Sequence, residues 1–60
     1  MTTINNLKPY YTAYPYTVAR VVDGDWWFWG CFRTFERAAE VADALDGEVF
    51  RPEEIIEGTL

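Results

Sequence analysis

The stretch Asp23-Gly24-Asp25-Trp26-Trp27-Phe28-Trp29-Gly30-Cys31-Phe32 decides the fold of this chain. It places all three tryptophans and two of the four phenylalanines directly after an Asp-Gly pair. Runs of aromatic and β-branched residues bounded by Gly and Asp are typical of strands, and Asp-Gly between two such runs indicates a hairpin turn. We therefore expect residues 26–32 to form the central strand of a small sheet.

The run that precedes the turn, Tyr16–Val22, is β-branched and aromatic and predicts the partner strand. A two-residue turn at Asp23 and Gly24 pairs Val22 with Asp25, and a three-residue turn that includes Asp25 shifts the pairing by one. Because side chains alternate between the faces of a sheet, the two-residue turn predicts two sets. One set is Thr17, Ala19, Val21, Trp26, Phe28 and Phe32; the other is Tyr16, Val18, Arg20, Val22, Trp27, Trp29 and Cys31.

An amphipathic helix is predicted over Phe35–Leu45, in a segment rich in alanine. Thr34 is a suitable N-cap, and Glu36 in the first turn suits the helix dipole. Apolar residues at spacings of three and four give one stripe that faces the sheet. The stripe consists of Phe35, Ala38, Ala42 and Leu45, with Val41 beside it, and Gly47 is expected to end the helix.

The two ends of the chain carry weaker signals. Residues 1–15 show no periodicity, and their tyrosines, together with Tyr16, cluster around Pro9 and Pro15. We expect an extended arm that lies over an apolar face of the sheet; an exposed recognition arm and a disordered segment are the alternatives. Glu48–Phe50 predicts a third strand, and Pro52 predicts a short helical turn before a fraying end at residues 58–60.

Together these elements predict a single α+β domain over residues 1–60. Its core, residues 16–60, has the order β-β-α-β with an antiparallel sheet packed on one helix and a short C-terminal helical turn. Residues 1–15 form the Tyr-rich arm. Because a chain of 60 residues buries a limited share of its surface, the aromatic side chains must supply most of the core.

Composition excludes several classes of function. Ten acidic residues oppose five basic ones, for a net charge of −5, which argues against direct nucleic-acid binding and suits a basic protein partner. The chain has no histidine and one cysteine, so neither a zinc site, a disulfide nor a Ser–His or Cys–His pair is expected. We predict a non-enzymatic protein without metal or cofactor.

A free thiol without a signal peptide or membrane span indicates the cytoplasm. The chain is expected to be a monomer or a weak homodimer.

The aromatic stretch has three interpretations. Trp26 and Phe28 are expected in the core, whereas base stacking on single-stranded nucleic acid requires a positive groove that the sequence lacks. An exposed aromatic patch of Trp27 and Trp29, with the arm residues Tyr11 and Tyr14, is the alternative site for a protein partner, with Arg20 stacked on Trp27. Cys31 is expected to be a buried, inert thiol. Asp23 and Asp25 predict a turn rather than a cation loop.

Eight of the ten acidic residues lie in the last 25 residues of the chain. Glu36, Glu40 and Asp43 share one side of the predicted helix, where like charges destabilise it by roughly 0.2–0.5 kcal/mol per pair. A solvated face is one interpretation. The other is an acidic surface that imitates the phosphates of nucleic acid and binds a basic groove. Its candidate residues are Glu36, Glu40, Asp43, Asp46, Glu48, Glu53 and Glu54.

As a type, the chain resembles the small acidic anti-CRISPR proteins that phages encode to block host defences. The resemblance covers length, aromatic core, acidic helix and the lack of a catalytic set, and no motif carries it. It implies an inhibitor in the bacterial cytoplasm that binds a subunit of a Cas effector complex, such as a type I surveillance complex, and keeps target DNA out. The alternative is a protein-interaction or self-association module that uses the aromatic patch.

Overall fold

The computed structural model describes residues 1–60, the whole chain. In chain order the strands and the helix are β1 (Thr2–Asn5), β2 (Tyr16–Val22), β3 (Asp25–Phe32), α1 (Phe35–Leu45), β4 (Glu48–Phe50) and β5 (Ile55–Glu57). Two short 3-10 helices, Pro9–Ala13 and Pro52–Glu54, precede β2 and β5 respectively.

The hairpin of β2 and β3 has the two-residue turn. Asp23 and Gly24 adopt φ values of 52° and 84°, and both lie in the left-handed region that a type I′ turn requires. Val22 pairs with Asp25 and Val21 with Trp26, so the register predicted from a two-residue turn is confirmed.

A β-bulge then divides the hairpin. Ala19 lies opposite Phe28 but Val18 lies opposite Gly30, so Trp29 is the extra residue on β3. Beyond it the side chains change faces, and the predicted faces of two residues are wrong. Phe32 lies on the helix side, where it packs against Val18, and Cys31 lies beside Thr17 on the other face.

The sheet has the strand order β4-β2-β3-β1-β5, so β3 is its central strand as predicted. The α+β class is confirmed, but the sheet is five-stranded and mixed rather than three-stranded and antiparallel. β1 adds to β3 in parallel, and β5 adds to β1 in parallel. Residues 1–15 therefore do not form an arm outside the core, because Thr2–Asn5 is a strand of the sheet. The helical turn predicted after Pro52 is present, and β5 follows it directly.

The sheet curls strongly, as its buried residues show. Ile4, Ala19 and Ile55 form one buried cluster, although two strands separate β2 from β5. In a flat sheet these strands lie about 14 Å apart, at 4.7–4.9 Å per strand. The concave face therefore encloses this cluster, and α1 packs on the convex face through Ala38 and Ala42.

The tyrosine-rich segment covers the concave face. Its 3-10 helix places Tyr11 against the cluster of Ile4, Ala19 and Ile55, and Tyr10 meets the ring of Phe28 edge-on at a centroid distance of 6.3 Å. The expectation that this segment covers an apolar face is confirmed, although its backbone is helical rather than extended.

Helix α1 has the predicted bounds and cap, because the Thr34 hydroxyl accepts a hydrogen bond from the Arg37 N–H at 3.2 Å. Two details differ from the prediction. Asp46, rather than Gly47, adopts the left-handed conformation at the helix end, with φ 58°. Phe35 lies at the margin of the apolar stripe and remains 53% exposed.

Candidate functional site

The helix carries the first part of the acidic site. Glu36, Glu40 and Asp43 are all exposed, at positions that share one side of α1. Glu40 accepts a hydrogen bond from the Arg37 guanidinium at 3.0 Å, between side chains that are 65% and 70% exposed. An exposed pair of this kind contributes little to stability and opens readily. Glu36 and Asp43 have no cationic partner within the chain.

The C-terminal end of α1 concentrates more negative charge. Asp46 is the residue that follows the last residue of α1, and Glu48 is the first residue of β4. Neither they nor Asp43 form a salt bridge. The last turn of the helix contains no basic residue. Since the free carbonyl groups at a helix C-terminus add partial negative charge, this end of the molecule favours a cation. We call Glu36, Glu40, Asp43, Asp46 and Glu48 the acidic surface.

Two acids of the predicted set are engaged elsewhere. Glu54 accepts a hydrogen bond from the Arg51 backbone N–H at 2.7 Å, and Glu53 receives the Arg51 guanidinium at 3.1 Å. A backbone N–H and this guanidinium lower the pKa of Glu53. In turn, the hydrogen bond to Glu53 and the negative charge of that carboxylate raise the pKa of Arg51. Glu54 therefore caps the second 3-10 helix, and Glu53 is paired with Arg51 in an exposed ion pair.

A groove runs between α1 and β4 beside the acidic surface. It measures about 340 Å³ and is lined by Phe35, Ala39 and Asp43 from the helix side and by Gly47, Glu48 and Val49 from the strand side. Apolar side chains form its floor, and Asp43 and Glu48 are its acidic members. Sequence reasoning missed this groove because Phe35 was assigned to the core. The small Ala39 beside the apolar stripe is the signal that could have indicated it.

The aromatic patch is divided between the two faces of the sheet. Trp29 is 52% exposed, and the Arg20 guanidinium lies over its ring at 5.6 Å rather than over Trp27. Tyr11 packs into the concave core instead. Tyr14 binds the Arg33 guanidinium, which lies 4.8 Å from its ring centroid. Of the four residues of the predicted aromatic patch, the structure thus leaves Trp29 and the half-buried Trp27 together on the convex face.

The remaining candidate groups are Cys31 and the residues of a second cleft. Burial raises the pKa of the Cys31 thiol, although a contact with the Thr17 hydroxyl at 3.7 Å opposes this, so the reactive thiolate is disfavoured. No three His, Cys, Asp or Glu side chains lie close enough together to hold a metal ion. A second cleft, of about 520 Å³, lies between the hairpin turn and the C-terminal residues and includes Asp25 and Glu57.

The single α-helix of 11 residues is too short to cross a lipid bilayer. Comparisons with known proteins give no relative from which a role could be transferred. No protein-family model, curated protein or solved structure matches this chain.

Proposed function

We propose that this protein is a non-enzymatic inhibitor that binds a basic nucleic-acid-binding site of another protein through its acidic surface. The observation that carries the proposal is the unbalanced charge around α1. Glu36, Asp43 and Asp46 have no cationic partner within the chain, and the last helical turn has no basic residue. Asp43 and Asp46 add to the negative C-terminal end of the helix dipole, and all three free carboxylates complement a positive groove.

The chemistry of nucleic-acid-binding sites supports this target. Such sites carry rows of lysine and arginine that neutralise phosphates, and their binding weakens steeply with salt. A net charge of −5 on 60 residues promotes fast association with such a site. The resemblance in type to phage anti-CRISPR proteins names a candidate partner, a Cas effector complex in the bacterial cytoplasm. The inhibitor then excludes target DNA by occupying its groove.

The test is capture of Cas effector complexes from a bacterial lysate, at low and high salt, by the wild-type protein and by the double variant Glu40→Lys/Asp43→Lys. We expect the wild type to retain a complex at low salt and release it at high salt, and we expect the variant to retain none. The variant reverses two exposed charges, so its circular dichroism should match that of the wild type.

The matched control is Asp25→Lys/Glu57→Lys, which changes the net charge equally at residues that line the other cleft. It should retain most of the capture. Equal loss of capture in both double variants would show that net charge, rather than the acidic surface, determines binding, and full retention by both would contradict the proposal. Retention by the wild type that does not change with salt would contradict the electrostatic mechanism.

The second candidate function is a protein-interaction or self-association module. The exposed Trp29 ring, with Arg20 over it, favours this candidate because tryptophan and arginine often dominate interface energies. If this candidate is correct, the protein binds a partner or forms a concentration-dependent dimer. Trp29→Ala should abolish that binding, and salt should leave it unchanged. Sedimentation and capture with this variant distinguish it from the first candidate.

A further inference from the structure

Strand β4 has one open side. It forms hydrogen bonds with β2 alone, through the pairs Thr17–Phe50, Val18–Val49 and Ala19–Glu48. No strand lies on its other side, so β4 is an edge of the sheet. Edge strands are commonly protected by short length, charged side chains, proline or a bulge. β4 is short and begins with an acid, but it contains no lysine, proline or bulge, so a basic segment can still pair with it.

The groove described above lies along this open edge. Phe35 is 53% exposed, and Ala39 and Val49 are partly exposed, so an accessible apolar surface borders the strand. At one end of the groove the ring of Tyr16 meets Phe35 edge-on at 5.8 Å. The groove therefore has an aromatic end near the start of α1.

The opposite end of the groove is acidic. Asp43 and Glu48 line it, neither forms a salt bridge, and the C-terminus of α1 lies beside them without a basic residue in its last turn. An occupant with cationic side chains is therefore complementary to this end, and apolar side chains suit the rest. Neutral and acidic segments lack this complementarity.

We propose that the groove binds an extended, basic segment of the partner protein, which adds a strand to the open edge of β4. In an extended segment, side chains two residues apart point the same way. One lysine or arginine then reaches Asp43 and Glu48, and an apolar side chain two residues along packs between Phe35 and Val49. Strand addition of this kind supplies affinity through main-chain hydrogen bonds and specificity through the side chains. The inference rests on the proposed function, since it names the part of the partner that the acidic surface binds.

The experiment is an NMR titration of the ¹⁵N-labelled protein with a short capped peptide of the pattern Lys-Thr-Val-Thr-Lys, in which lysine and valine lie two residues apart and therefore on the same side of an extended chain. We expect the largest amide shifts at Glu48, Val49 and Phe50, and further shifts along α1 at Ala39. Two more peptides carry N-methyl groups on one or the other set of alternate amides. One of them should bind roughly tenfold more weakly than the parent, or about 1.4 kcal/mol, because it cannot donate to β4.

A matched pair of variants localises the site. Ala39→Arg places a long cation in the groove and should weaken binding roughly tenfold, about 1.4 kcal/mol. Ala44→Arg makes the same change on an exposed face of the same helix and should alter the affinity by less than about twofold, or about 0.4 kcal/mol. Both residues lie in α1 and both are replaced by a good helix former, so folding should be equally preserved.

The inference is overturned if no peptide causes a shift, if both N-methylated peptides bind equally, or if the peptide binds equally to the Ala39→Arg and Ala44→Arg variants. A concentration-dependent dimer of the free protein with shifts at β4 also overturns it, because the groove then receives a second copy.

If both N-methylated peptides bind like the parent while Glu40→Lys/Asp43→Lys still prevents capture, strand addition fails and the proposed function stands. If the peptide binds as expected while the captured complex retains its DNA, the proposed function fails and the groove assignment stands.

Discussion

At the scale of single residues, close backbone approaches constrain the fold most sharply. A Cβ atom added to Gly47 runs into the carbonyl oxygen of Ala19, because the chain passes directly over β2 as it leaves α1. Gly30 offers a comparison within the same sheet, since a Cβ there meets only the ring of Phe32, at 3.5 Å, an ordinary contact distance. Neither glycine adopts a positive φ, so the space around each decides the effect of a substitution.

We predict that Gly47→Ala lowers the free energy of unfolding by about 1–3 kcal/mol, the usual cost of forcing an atom into a packed site. Gly30→Ala should leave it unchanged or raise it by up to about 1 kcal/mol, because alanine reduces the freedom of the unfolded chain. Urea unfolding followed by tryptophan fluorescence measures both. Coincident unfolding curves for the two variants would contradict the close approach of Gly47 to β2.

Another single residue, Asn5, shows what sequence reasoning missed at this scale. It is 4% exposed, its amide donates to the Trp26 carbonyl at 3.2 Å, and its oxygen accepts from the Leu60 N–H at 3.4 Å. One polar side chain thus ties β1 to β3 and to the C-terminal residues. Nothing in the local pattern around Asn5 indicates burial, because the partners lie 21 and 55 residues away.

At the scale of secondary-structure elements, signals that are local in sequence were reliable. The hairpin turn, the bounds of β2, α1 and β4, and the Thr34 cap all depend on neighbouring residues, and the structure confirms them. β1 and β5 could not be predicted, because each is short and gains its hydrogen bonds from parallel strands far along the chain. The bulge at Trp29 was also missed, and it changed the faces of Cys31 and Phe32.

The N-cap of α1 depends on one hydroxyl group, that of Thr34. Because the Thr34 hydroxyl satisfies the Arg37 N–H, Thr34→Ala should lower the free energy of unfolding by about 1 kcal/mol, within a range of roughly 0.5–2. Thr34→Ser keeps the hydroxyl and should stay within a few tenths of a kcal/mol of the wild type, about the difference between the two caps. Thermal unfolding followed by circular dichroism compares them. A serine variant that loses as much stability as the alanine variant would show that the hydrogen bond is not the cause.

At the scale of the whole molecule, the curled sheet separates two surfaces. The concave face is closed by the tyrosine-rich segment, and the convex face carries α1 and, beside it, the groove along β4. The sequence indicated which acidic residues could form a surface, but not which of them have a partner within the chain. Arg51 binds Glu53 and Glu54, whereas Asp43, Asp46 and Glu48 have no cationic partner. Which acids are paired and which are free depends on side-chain contacts that no helical or alternating pattern encodes.

The central claim is that the acidic surface competes with nucleic acid for a basic groove. The most direct measurement is the fluorescence anisotropy of labelled target DNA bound to purified Cas effector complexes, type I surveillance complexes among them, as this protein is added at low and high salt. We expect the wild type and Asp25→Lys/Glu57→Lys to displace the DNA at low salt, and we expect the wild type to displace less of it at high salt. Glu40→Lys/Asp43→Lys should displace none. DNA that stays bound to every complex, or equal displacement by the two double variants, would contradict it.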